Sequence, residues 1–297
     1  MLKHTGTHSA WDNLFYAESV LEPLDLVQPD PKLPCYLATE SVRLPSPTKE
    51  IGGLTSHYLL DLASTLPALT LKPQPGEAVL DMCAAPGGKS LILATLLFAT
   101  RDPNADYGHL TMNEIAPARR TRLRRVLDEH IPAPLHARLS VTMYDATKWS
   151  RHQTNQYDKI LVDAPCSSER HHCQTQMKHR KAITREEWSV SRSKRNAVTQ
   201  LGLLVSACQA LRPGGRVVYS TCSICNLEND DVVRKALAKL GDTHVRVVSH
   251  ENPTAVSKIQ TGAEKTEFGY IVLPDTVLGD YGSGWGPLFW SVIERLE

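Results

Sequence analysis

No apolar run in the 297 residues approaches the roughly 18–20 needed to span a bilayer, so an integral membrane protein is not expected. Neither sign of charge is in excess: 33 Lys+Arg against 32 Asp+Glu leaves +1. The first 25 residues hold one lysine and four acids (Asp12, Glu18, Glu22, Asp25), unlike a secretory signal or an Arg-rich transit peptide. Seven cysteines, an odd number at irregular spacing, argue against a disulfide framework. They point to a reducing compartment with some thiols free to react. Internal repeats and low-complexity segments are absent as well. What remains is ordinary globular composition, 41% hydrophobic and 22% charged, at a length suited to one large α/β domain.

The near-neutral balance hides two basic clusters. Arg119, Arg120, Arg122, Arg124 and Arg125 crowd together, and residues 170–195 are rich in Lys, Arg and His with only Glu186 and Glu187 in opposition. A basic run is often just a solvated face. Two of them close to one candidate site point towards a polyanionic partner.

Residues 1–50 are rich in proline (Pro23, Pro29, Pro31, Pro34, Pro45, Pro47) and read as an extension or arm on a domain covering 51–297. Helical spacing of Leu54, Tyr58, Leu59, Leu62 and Leu66 predicts a helix over 53–69. Strands and helices then alternate. Strands are expected at 77–82, 109–113, 137–143, 159–162, 216–220 and 244–248, and helices at 87–98, 116–129, 196–211 and 227–240. Pro213-Gly214-Gly215 reads as a helix stop. Two late strands, 270–273 and 288–293, suggest an antiparallel edge. Such alternation means an α/β fold with a parallel sheet covered on both faces.

The segment Asp81-Met82-Cys83-Ala84-Ala85-Pro86-Gly87-Gly88-Lys89-Ser90 is a strand end, a tight turn and a helix start. Gly87 and Gly88 let backbone N–H groups approach a ligand. Gly88-Lys89-Ser90 fits the end of a P-loop, but Cys83 stands where its first glycine belongs, and no G-x-G-x-x-G is present. Acids close the next strands: Glu114, Asp145 and Asp163. Singly, each is as readily a helix cap. Together they suit a nucleoside pocket, with Glu114 on ribose hydroxyls and Asp145 on the adenine amino group. S-adenosylmethionine fits a glycine turn with nearby carboxylates better than a triphosphate does.

Two cysteines follow buried strands, in Asp163-Ala164-Pro165-Cys166-Ser167 and Ser220-Thr221-Cys222-Ser223. Amino-methyltransferases often place an aromatic where Cys166 stands, so the thiol disfavours methylation on nitrogen. It suits methylation of a pyrimidine ring carbon. Carbon 5 of cytosine is a poor nucleophile until a thiolate adds to carbon 6. Spacing alone does not tell which thiol attacks. A free thiol is only a few per cent ionised at neutral pH, so the attacking one needs activation.

These three motifs resemble the Sun (Fmu/RsmB-type) RNA 5-methylcytosine methyltransferases, over a stretch from about Cys35 to the C-terminus. Cys35-Tyr36-Leu37, Tyr58-Leu59-Leu60 and Trp285-Gly286-Pro287-Leu288 are similar to the mitochondrial members. The resemblance implies a Rossmann-like class I methyltransferase fold: a mostly parallel seven-stranded sheet with an antiparallel C-terminal edge. It implies S-adenosyl-L-methionine as cofactor, rRNA or tRNA as partner, and a mitochondrial location. By resemblance Cys222 is the nucleophile, Cys166 assists release of product, and Asp163 contacts the base beside the methyl donor. Cys83, Ala84, Ala85, Pro86, Gly87, Gly88, Lys89, Glu114, Asp145 and Asp163 match cofactor contacts, with Arg119 a weaker one. Lys89 is either an electrostatic contributor or a helix anchor. No metal is expected. The chain departs from bacterial relatives in lacking a dedicated N-terminal RNA-binding domain. Target choice then falls to the basic surfaces, a polar insert at 168–195, a separate RNA-binding protein or the ribosomal assembly. The rival readings are a catalytically silent ribosome-assembly factor and an NTP-binding protein.

Overall fold

The computed structural model describes residues 21–24, 35–38, 46–98, 107–173, 189–241, 243–248, 262–277 and 284–296. Strands β1 (Leu21–Leu24) and β2 (Cys35–Ala38) form an antiparallel two-stranded sheet of their own. The rest of the expected arm up to 45, and the insert from 174 to 188, lie outside the described residues.

The main sheet is built on five parallel strands in the order β5-β4-β3-β6-β7. These are β3 (Ala78–Asp81), β4 (His109–Asn113), β5 (Leu139–Thr142), β6 (Tyr157–Asp163) and β7 (Leu211–Thr221). Short apolar runs such as Ile160-Leu161-Val162, fully buried, make central strands covered on both faces. Four further strands follow: β8 (Val245–Val247), β9 (Glu264–Lys265), β10 (Tyr270–Val272) and β11 (Leu288–Arg295). Strand β11 runs antiparallel beside β7, from Phe289 opposite Thr221 to Glu294 opposite Arg216. Its other edge takes β10 near one end and β8 near the other. The expected antiparallel pairing of the two late strands is present, with β11 inserted inside the sheet. The sheet has nine strands where the resemblance implies seven, and β9, paired with β10, is the strand that the sequence reading did not place.

Helices α1 (Leu62–Leu71), α2 (Gly88–Leu97) and α3 (Pro117–His130) contribute to a core on one side, around Leu66, Leu93, Leu97 and Leu123. Helices α4 (Val190–Ala210) and α5 (Asp230–Leu240) cover the other, around Trp149, Leu204, Tyr219 and Val233. Each fully buried leucine contributes about 1.5–3 kcal/mol relative to exposure. The two cores hold the strands rigid and leave their carboxyl ends to carry loops.

Two expectations need correction. The helix placed over 53–69 exists only as α1 from Leu62. Gly53 takes a positive φ of 81°, which a helix cannot use, and the Asp61 side chain caps the Ser64 N–H. Of the residues that made that spacing, Tyr58 belongs, with its neighbour Leu60, to a segment laid over the glycine turn. Helix α4 starts at Val190, not 196, with Ser189 as its cap. Its opening turns are mostly exposed and polar, so apolar periodicity begins only around Ala197. The helix ends at Ala210, and Pro213-Gly214-Gly215 lies within the opening half of β7.

Candidate active site

Three loops leave the carboxyl ends of neighbouring strands and meet at one cavity of about 540 Å³. The first joins β3 to α2. Gly87 sits at φ 118°, and a Cβ there would lie 3.0 Å from Val126 Cγ1, so only glycine lets the turn rest on α3. A Cβ on Gly88 would lie 2.6 Å from Leu60 Cδ2 and 2.9 Å from Tyr58 Cε1, which places those two side chains directly over the turn. The other two loops follow β6 and β7. These strands pair in parallel with Asp163 opposite Ser220, so the cysteines a few residues further on converge. Cys166 Sγ and Cys222 Sγ lie 3.1 Å apart as free thiols.

The pair is electrostatically unequal. Cys222 is held below the ordinary thiol range, chiefly by the Cys166 S–H donated to it and further by Arg170 and Lys89, against burial and the Asp163 charge. Cys166 is driven well above that range by the same bond and by burial. Of the two, Cys222 is the thiol that gives up its proton more readily. Lys89 Nζ donates to Asp163 Oδ2 at 2.8 Å, and Ser220 Oγ donates to Asp163 Oδ1 at 3.0 Å. Lys89 thus ties the glycine turn to the β6 loop. With its ammonium engaged by a carboxylate, it is not presented to phosphates as a P-loop lysine would be. Burial, reinforced by the Asp163 charge, pushes the Asp81 carboxyl up to about 7.

Behind the cysteines a buried polar knot fixes both loops. Glu228, fully buried, accepts the Ser167 N–H at 3.0 Å, Gln200 Nε2 at 2.9 Å and Asn196 Nδ2 at 3.2 Å, and also the Ser167 hydroxyl. Glu169 accepts from the Ser167 hydroxyl at 2.7 Å and the Ser223 hydroxyl at 3.2 Å. The residues following Cys166 and Cys222 thereby share one anchor.

Of the residues singled out in the sequence, Cys83, Ala84, Ala85, Pro86, Gly88, Lys89, Arg119, Asp163, Cys166 and Cys222 line the cavity. Gly87 shapes the turn from behind. Glu114 and Asp145 stand outside that lining, after β4 and β5 on the same edge of the sheet. Glu114 is buried, accepts the Ala116 N–H at 2.9 Å and pairs with Arg119 at 3.4 Å, while Arg119 Nη2 donates to the Ala85 carbonyl at 2.7 Å. Asp145 is occupied as a cap, accepting the Thr147 hydroxyl at 2.6 Å and the Thr147 N–H at 3.1 Å. Asp81, Tyr58, Leu60, Ser64, Ser168 and Arg170 line the cavity without having been singled out for it. Arg170 had a signal, the basic run; a buried acid such as Glu228 has none.

The residues fit a cationic amino-acid nucleoside. The volume suits a ligand of that size. Asp81 Oδ1 is buried without a hydrogen-bond partner, and Asp163 faces the same space. Both are carboxylates where an ammonium and a sulfonium need them.

This frame is that of the Rossmann-like, S-adenosylmethionine-dependent methyltransferases, and the chain is one of them. A solved structure titled PH0851 superposes with a TM-score of 0.62 at 25% identity, covering 80% of this chain and 46% of that one. The particular family is shown by a family model described as 16S rRNA methyltransferase RsmB/F, which matches residues 68–278; the chain belongs to that family. It is 37% identical over 268 residues to the mitochondrial tRNA (cytosine(34)-C(5))-methyltransferase of Danio rerio, covering 90% of this chain and 68% of that protein. It is 33% identical over 280 residues to the 5-cytosine rRNA methyltransferase NSUN4 of Bos taurus, covering 90% and 67%.

Proposed function

We propose that the chain methylates carbon 5 of cytosine in RNA, with residues 51–297 as the methyltransferase domain and 1–50 as its extension. The observation that carries this reading is the 3.1 Å approach of Cys166 and Cys222 at a donor-sized cavity. The Cys222 thiolate attacks carbon 6, forming an S–C6 bond and moving electron density to carbon 5. When bound, S-adenosylmethionine supplies a methyl electrophile. Asp163, held by Lys89 and Ser220, orients the base and supports protonation at N3. Once Cys222 has become a thioether, Cys166 loses its thiolate acceptor. It then assists the last step, in which water takes the carbon 5 proton, the C–H electron pair restores the C5–C6 double bond, and the S–C6 bond breaks to return Cys222 as a thiolate.

The cofactor roles proposed for Glu114, Asp145 and Arg119 follow their place along the same sheet edge. RNA is met by two basic helix segments. Helix α3 exposes Arg119, Arg122, Arg124 and Arg125, and Arg119 reaches the cavity. The opening turns of α4 expose Arg192, Lys194 and Arg195; further along α4, Gln200 donates to the Pro165 carbonyl at 2.8 Å, beside Cys166. A target base must leave its stack, at a few kcal/mol, so loops and unpaired sites are favoured. The names of the relatives, one a mitochondrial tRNA enzyme and one an rRNA enzyme, support a tRNA or rRNA substrate, and the first supports a mitochondrial location.

The test is incubation with RNA containing 5-azacytidine and with labelled methyl donor. A covalent protein–RNA adduct and labelled 5-methylcytosine are expected. Cofactor binding with neither product would instead support a silent scaffold.

A further inference from the structure

Arg170 follows Cys166 by four residues and is fixed through both main chain and side chain. Its N–H donates to the Cys222 carbonyl at 3.4 Å. Its guanidinium donates to the Pro287 carbonyl through Nε at 3.3 Å and Nη2 at 3.0 Å, and through Nη1 to the Ser64 hydroxyl. Those acceptors are neutral, so the groups that hold the guanidinium do not cancel its charge. Lys89, the other cation of the cavity beside the thiols, is engaged by the Asp163 carboxylate at 2.8 Å. Arg170 lines the same cavity as both cysteines.

We propose that Arg170 is a positioning residue that fixes a positive charge against Cys222 and keeps its sulfur anionic as a base enters. The inference rests on Cys222 being the nucleophile. Facing that sulfur are Lys89 from α2, Asp163 from β6 and Cys166 from the following loop, with Glu169 and Glu228 behind, bonded to Ser167 and Ser223. Lys89 and Asp163 neutralise one another, and the guanidinium supplies the balance. A guanidinium keeps its charge at any working pH, and here its fork is already spent on two anchors. The residue thus joins the β6 loop, α1, the approach to β11 and the Cys222 loop. Whatever holds those segments together also holds the charge in place.

The test is the pH dependence of iodoacetamide alkylation at Cys222 in the full chain without RNA, read by mass spectrometry. Arg170→Gln should raise the midpoint by about one pH unit, and methylation at pH 7 should fall roughly tenfold and recover at higher pH. Arg170→Lys should stay within about half a unit of the parent. A midpoint unmoved by Arg170→Gln overturns the proposal, even if methylation is lost, and leaves the nucleophile in place. A raised midpoint with methylation intact supports the charge but removes Cys222 as the attacking atom. Should Arg170→Gln not fold, Cys166→Ala decides by salt: with the S–H donor gone and Lys89 paired with Asp163, its midpoint should rise between low salt and about 1 M as the guanidinium is screened, and a midpoint that does not move overturns the proposal.

Discussion

Cys166 Sγ stands 3.1 Å from Cys222 Sγ, a separation at which one sulfur donates its proton to the other. Sequence spacing leaves the two thiols interchangeable. The structure distinguishes them, because the cations of the cavity act on Cys222 while burial and the shared bond keep Cys166 protonated. Removing each sulfur should therefore fail differently. Cys222→Ala is expected to abolish both methylation and trapping by 5-azacytidine RNA, with cofactor affinity unchanged within a small factor. Cys166→Ala should form adduct more slowly at neutral pH, having lost its hydrogen-bond donor, and then retain it. Denaturing gels of each variant with RNA read both outcomes, and the opposite pattern exchanges the roles.

Asp81 predicts a pH effect of unusual sign. Its carboxyl is pushed up to about 7 in the fold by burial, against about 3.9 in an unfolded chain. Between those values the native state binds more protons than the unfolded one, so stability falls as pH rises from about 4 to 7. The loss is bounded at about 4 kcal/mol for the full shift. Asp81→Asn should flatten this slope in urea unfolding followed across pH 5 to 8. A cationic donor next to the ionised carboxylate is favoured above pH 7, so the parent should bind S-adenosylmethionine more tightly at pH 8 than at pH 6. An equal slope in parent and variant would remove Asp81 as its source.

Glu228 gives a stability prediction. Its carboxylate satisfies buried donors from Ser167 and Gln200 and a half-buried one from Asn196. Alanine removes that acceptor from the two buried donors, at about 1–3 kcal/mol for each, so Glu228→Ala should cost at least about 2 kcal/mol. Glutamine keeps one oxygen towards those donors and turns its amide towards the Ser167 hydroxyl, which still has Glu169 to donate to. Glu228→Gln should cost roughly 1 kcal/mol. Chemical denaturation compares them, and similar losses for both would mean that the oxygen is not what counts.

The frame was legible because buried parallel strands write themselves as short β-branched runs, and turns as Gly-Gly or Pro-Gly pairs. That located β3, the glycine turn and both cysteine loops. Three things were not legible. Tyr58 counted towards a helix although it lies, with Leu60, in a coil pressed on Gly88, since a side chain covering a turn has the same apolar need as one in a helix. The start of α4 was hidden by its exposed opening turns. The buried acids behind the thiols were hidden most deeply: Glu169 and Glu228 look like surface residues until β6 and β7 are paired and their loops brought together. Asp145 is a strand-end acid with one carboxylate oxygen engaged by its own turn.

Gly87 and Gly88 are adjacent yet should fail for different physical reasons. At Gly87 the backbone itself requires glycine: φ is 118°, and an added Cβ would meet Val126 and Leu123 of α3. Gly87→Ala should cost stability, about 1–3 kcal/mol, as expected of a residue forced into sparsely populated backbone. At Gly88 the backbone is helical, and alanine suits the first turn. The obstruction is the ends of Leu60 and Tyr58, two flexible side chains that can swing aside. Stability should then change little, while the covering of the cavity is displaced. Gly88→Ala should weaken S-adenosylhomocysteine binding about tenfold, which is about 1.4 kcal/mol. Urea unfolding and titration calorimetry on both variants separate the cases. If Gly88→Ala unfolded as readily as Gly87→Ala and bound as well as the parent, Leu60 and Tyr58 would be structural packing and not part of the ligand's enclosure.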